Sequence, residues 1–243
     1  VRSPSRSAAS SPPRLGSSAL EALHVSAGAA GLKALTSRAL HLDAQASARF
    51  AVLSDAPSAP GSSTPIDVFV TTPFDCVASR RVTGSVSRDG AVVSARDLDA
   101  ALAEGRSELG PARDHDWIGA LPPKTGFVER EMVPVAVVRD LADQGRRLAR
   151  QFSGPLGPPR SLLEQIVLTV QSPTTPAESS TPTDAVEIPM RMIFTCTSLG
   201  LIPGPSAPPE IPRHLRISTA GRWIRMDAPF GSVYHSAGLN LLF

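Results

Sequence analysis

The sequence predicts an α+β fold: an N-terminal mixed α/β region around a small sheet, then C-terminal helices and a β-hairpin. Three observations carry that expectation. The runs "ARFAVLS" (48–54) and "IDVFVTT" (66–72) are short, rich in apolar and β-branched residues, and read as strands. The stretch "PVAVVRDLADQGRRLARQF" (134–152) places Val138, Leu141, Gly145, Leu148 and Phe152 at helical spacing, with arginines over the remaining face. "HLRISTAGRWIRM" (214–226) is two alternating runs around a Gly-containing turn, the pattern of a hairpin.

The 243 residues divide unevenly. Residues 1–18 hold Ser, Pro and Arg, no acid and little apolar surface, and are expected to be a disordered tail. Many of the 24 prolines fall in breaks such as 55–65, 171–183 and 203–212, and what remains, at 42% hydrophobic overall, suffices for a core. The expected organisation is a small α+β domain over 19–110 and a connector over 111–159 that ends in the long helix. A second domain follows over 160–243, with a flexible insertion at 171–183.

Within the first domain, "SALEALHVSAGAAGLKALTSRAL" is rich in helix formers and is expected to be helical despite Gly28 and Gly31. Residues 75–87 continue as strand after a bend at Pro73. "RDG" (88–90) turns the chain, Ala91–Val93 is a short strand, and Ser94 caps a helix that Gly105 stops. In the second domain, "SLLEQIVLTV" (161–170) has Ser161 and Glu164 at capping-box spacing, and "EIPMRMIFTCTSLGLI" (187–202) reads as a helix with Pro189 at its start and Gly200 at its stop.

The formal charge of +2 comes from the tail: Arg2, Arg6 and Arg14 more than account for it, leaving the rest near −1. That weakens any electrostatic case for nucleic acid. Cys76 and Cys196 are the only cysteines and are expected to be reduced, small apolar residues. No apolar run approaches the ~20 residues that span a bilayer, so no membrane association is expected. Two lysines among 24 basic residues, with abundant Ala, Pro and Gly, suggest GC-rich coding and an actinobacterial, cytoplasmic protein.

The order helix, helix ending in "SLGLI", then basic hairpin resembles the C-terminal half of winged helix domains, over about 80 residues from Ser161 to Phe243. The overall layout is also similar to uncharacterised actinobacterial proteins. The winged helix resemblance implies a DNA-associated, transcription-regulating protein. Arg191, Arg213, Arg216, Arg222 and Arg225 are then the nucleic-acid-binding candidates, with DNA or a protein as partner and a homodimer compatible. The helix at 187–202 offers few side chains suited to reading bases, and residues 161–243 carry five arginines against six acids.

For chemistry, "RDHDW" (113–117) is the leading stretch: Asp114 or Asp116 beside His115 has the makings of an oriented base. No phosphate loop, nucleophile elbow, HExxH or dinucleotide fingerprint occurs, so neither cofactor nor metal is expected. The leading expectation is a non-enzymatic regulatory protein, DNA-associated through a winged-helix-like module. The alternatives are a protein-interaction or assembly module, and an enzyme of unrecognised type using His115.

Overall fold

The computed structural model describes residues 20–53, 63–152, 159–171 and 185–236. The expected tail and the insertion at 171–183 lie almost wholly outside them. The chain runs β1 (Leu20–Ala27), α1 (Ala29–Leu42), β2 (Ser47–Val52), β3 (Thr64–Thr71), β4 (Val77–Val86), β5 (Val92–Ser94), α2 (Ala95–Glu104) and β6 (Glu108–Pro111). After a 3₁₀ turn (Asp114–Asp116) come β7 (Val128–Pro134), α3 (Val135–Phe152), α4 (Arg160–Glu164) and β8 (Ile166–Val170). β9 (Val186–Pro189), α5 (Met190–Ser198), β10 (His214–Ala220), β11 (Trp223–Ala228) and β12 (Gly231–Ser236) complete it.

The fold is α+β, built on one large antiparallel sheet. Its order is β5-β2-β3-β4-β12-β11-β10-β7, with β1 also on β4 and β6 on β1; β8 and β9 form a separate pair. The sheet is therefore not confined to the N-terminal region. Ser232 to Tyr234 of β12 pair with Ser79 to Val77 of β4, joining strands from both halves of the chain. β4 is long enough to take two neighbours along that edge: β12 at its start and β1 at its end. At Gly84 the backbone of β1 comes so close that a Cβ would lie 1.9 Å from the His24 carbonyl oxygen, so only glycine fits.

Local signals are obeyed where they are strong. The Ser94 hydroxyl accepts from the Arg96 amide at the start of α2, and Gly105 ends the helix with φ 66°. The hairpin forms with Ala220 opposite Trp223, and Gly221 takes φ 55° in the turn. Three expected helices are partly strand. Residues 20–27 pair with β4 and β6 before Gly28, at φ 94°, turns the chain into α1. The segment 161–170 is one helical turn followed by β8, and 187–202 is β9 followed by a nine-residue α5. At 20–27 pairing with distant strands overrides helix propensity, while the β-branched residues of β8 and β9 favour strand and pair with each other.

The winged helix is not formed, and the expected DNA-binding, transcription-regulating module goes with it. The supposed recognition helix is α5, whose residues Met190 to Cys196 are all buried, so it has no face to offer a groove. The supposed wing is flanked by β7 and β12 inside the large sheet. Helices cover one face of that sheet: Leu32 and Leu35 of α1, Leu98 of α2, Val138 of α3 and Met192 and Ile193 of α5 join Phe50, Val68, Ile217 and Met226 in the main core. On the opposite, outer face a small cluster of Ala51, Phe69, Val92, Trp117 and Tyr234 is lined further by Leu121, Phe127 and Trp223. Trp223 is thus a packing residue.

Candidate functional site

Residues directly opposite in an antiparallel pair project to the same side of the sheet. Asp67 faces Arg81 across β3 and β4, Ser79 faces Ser232 across β4 and β12, Tyr234 faces Arg225, and Asp227 faces both Ser232 and Arg216. Pairing alone therefore sets a polar patch on the outer face, beside the small apolar cluster. It forms the wall of an open basin of about 370 Å³, to which Arg80 and the β11–β12 turn residues Pro229 to Gly231 also contribute.

Three arginines of the basin, Arg81, Arg216 and Arg225, face it with two carboxylates, while Arg80, paired opposite the core residue Val68, projects to the helix-covered face. Asp67, nearly buried, takes Arg81 in a fork, with Nε to Oδ1 at 2.8 Å and Nη2 to Oδ2 at 2.9 Å, which raises the guanidinium pKa. Asp227 accepts from the Ser232 hydroxyl at 2.6 Å through Oδ1. Its Oδ2 lies 3.0 Å from Arg225 Nε and 3.5 Å from Arg216 Nε. Arg225 lies over the Phe127 ring at 4.3 Å. Arg80 donates Nη1 to the Phe230 carbonyl at 2.6 Å, and burial lowers its pKa. Burial raises the Tyr234 phenol, against the opposing hydrogen bond with Ser79. Next to the basin a slot of about 70 Å³ is lined by Phe69, Leu121, Pro122 and Pro123, and shares Asp67, Arg81, Arg225 and Tyr234 with it.

Two of the five arginines named from sequence, Arg216 and Arg225, meet here. Arg213 instead donates to the carbonyls of Gly204 and Ala207, bracing that loop, and Arg222 is exposed at the hairpin tip. Arg191 is buried on α5 and paired with Asp75 at 3.0 Å and Glu164 at 3.5 Å. His115 is 80% exposed, with Nε2 3.0 Å from Asp116. Asp114 accepts from Arg88 and from the Val92 amide. Desolvation pushes that carboxyl up, but these bonds outweigh it and hold its pKa below the ordinary value. The trio lines neither the basin nor the slot. Both cysteines are buried and unpaired, their thiols pushed up to about 12 mainly by desolvation. Sequence reasoning missed Asp67, Arg81 and Tyr234. The available signal was Asp67 itself, an acid inside the apolar run of β3 that needs a cation to stay buried.

Two family models match the chain, each over slightly less than half of it. Residues 20–119 match a domain of unknown function (DUF8010), and residues 122–240 match another (DUF8185). No curated protein matches. Among solved structures, similar chains include the Caulobacter crescentus pol III beta, at TM-score 0.48 and 10% identity over 89% of this chain and 64% of that one. Another is a C. crescentus beta sliding clamp, at 0.49 and 10% over 91% and 65%. A third is a DnaN sliding clamp from Bartonella birtlesii bound to griselimycin, at 0.48 and 12% over 92% and 66%. The chain spans about two thirds of the length of each, and these neighbours are not winged helix proteins.

Proposed function

We propose that the chain is a protein-interaction and assembly module, and that its contact is the free edge of the large sheet. β7 pairs with β10 on one side; among the described residues nothing pairs with the other. An open seven-residue edge is a template for another strand unless it is blunted. β7 exposes Val128 and Met132, and the adjoining α3 exposes Val137 and Leu148. This open edge, with Val128 and Met132 exposed along it, carries the reading. Helix α5 is buried within the chain and offers no such surface.

The occupant proposed is a second copy. A second copy brings its own exposed Val128 and Met132 to the same unpaired edge. Chain mass is measured by light scattering across a concentration series. We expect it to rise from 25.4 kDa toward twice that value, and Val128→Asp with Met132→Lys to hold the protein at the lower mass. A single-chain mass at every concentration would sink the proposal.

A further inference from the structure

We propose that the outer-face basin and its slot bind a small organic oxyanion: a phosphate or carboxylate group among the arginines, attached to a flat apolar group between Phe69 and the Leu121–Pro123 segment. The site adjoins the β7 edge through Arg216, but its test reads ligand binding and not chain mass. Either proposal can fail without the other.

Charge balance comes first. The lining sets the guanidinium groups of Arg81, Arg216 and Arg225 against two carboxylates, while Arg80, opposite the core residue Val68, turns its own toward Gly31 of α1 and the Phe230 carbonyl. The carboxylates do not saturate the donors. Asp67 engages Nε and Nη2 of Arg81, leaving Nη1 without an acceptor among the described residues. Arg216 and Arg225 make no directed hydrogen bond to any described residue. Both lean on Asp227, and Glu129 adds only a loose contact to Arg216 at 3.7 Å between half-exposed groups. Arg225 Nε and Asp227 Oδ2 are sealed from solvent yet not aligned to bond each other, although only 3.0 Å apart. Guanidinium donors left open in a concave, polar site favour planar oxyanions, which accept two parallel N–H bonds.

Shape comes second. About 370 Å³ lies within the range of small-molecule sites, and the basin's polar wall suits a charged group rather than an apolar one. The slot, lined by two aromatics and two prolines and sharing Arg81 and Arg225 with the basin, offers a place for a ring joined directly to that charged group.

Isothermal titration calorimetry at constant ionic strength tests this on the intact chain, with phenyl phosphate and inorganic phosphate as probes. We expect one saturable site for phenyl phosphate, with weaker binding of inorganic phosphate. Arg216→Gln, half-exposed and safe for folding, and Arg225→Gln should each weaken phenyl phosphate about tenfold or more, as loss of a charged hydrogen bond does. Arg150→Gln, on the exposed face of α3, should leave it unchanged. The proposal is overturned if phenyl phosphate shows no saturable heat, or if Arg150→Gln weakens it as much as Arg216→Gln. Equal affinity for the two probes removes the slot from the site.

Discussion

His235 shows how one side chain reports on the packing between sheet and helix. Its Nδ1 donates to the Asp75 carbonyl at 3.3 Å, near the Arg191 guanidinium. Desolvation lowers its pKa below 6.5, opposed by the bond to Asp75 and reinforced by the Arg191 charge. The unfolded chain therefore binds this proton more readily than the folded one, and the stability tied to neutral His235 is present above the unfolded value and lost as pH falls through the depressed folded value. We expect the melting temperature to fall between about pH 7.5 and pH 5.5, above the range where carboxylates titrate. His235→Gln should flatten that slope. A slope unchanged by the substitution would assign the proton uptake to other groups.

Among the elements, α3 and α5 meet at a point that sequence spacing marks without explaining. Gly145 falls in the apolar stripe of α3, and it is small because α5 sits against it. A Cβ there would lie 2.8 Å from the Met190 thioether and 2.9 Å from the Phe194 ring. The methionine can yield to one methyl, but the buried Phe194 ring, packed on Phe74, yields less, and alanine's helix-propensity gain of about 1 kcal/mol offsets only part of that. Gly145→Ala should thus lower the denaturant midpoint slightly. Gly145→Leu should overpack the contact and cost about 1–3 kcal/mol, read as a lower midpoint at constant slope. The same contrast explains what sequence could reveal. Ser94, Gly105 and Gly221 act through bonds within a few residues, so their caps and turn were legible. The strand at 20–27 is made by partners far along the chain, and its Leu, Ala and Glu content pointed to helix, whereas the β-branched run at 166–170 was itself a strand signal. The candidate site was less legible still. Alternation set Arg222 and Arg225 on opposite faces of a strand, whereas Arg222 lies in the turn, and nothing local could reveal that Arg225 shares a basin with Asp67 and Arg81.

At the scale of the whole molecule, two family models divide the chain near residue 120, yet the structure is stitched across that division. β12 completes the edge of β4, and Tyr234 stacks against Phe69 at 5.5 Å and Phe127 at 6.1 Å. Trp117 and Leu121, from either side of the division, line the same outer cluster. Separating the halves would strip β4 of a neighbour and expose apolar area from both faces of the sheet, and unpaired buried backbone groups are costly. Between Trp117 and Leu121 the chain itself is open: Ile118 is 96% exposed, and a Cβ on Gly119 would touch nothing within 4 Å. A protease site inserted between these two residues should therefore be cut readily in the folded protein. After cleavage we expect the two fragments to co-elute as one species with an unchanged circular dichroism spectrum, and to part only in denaturant. Dissociation of the nicked protein in native buffer would mean that each half carries its own core and that the shared sheet adds little to holding them together.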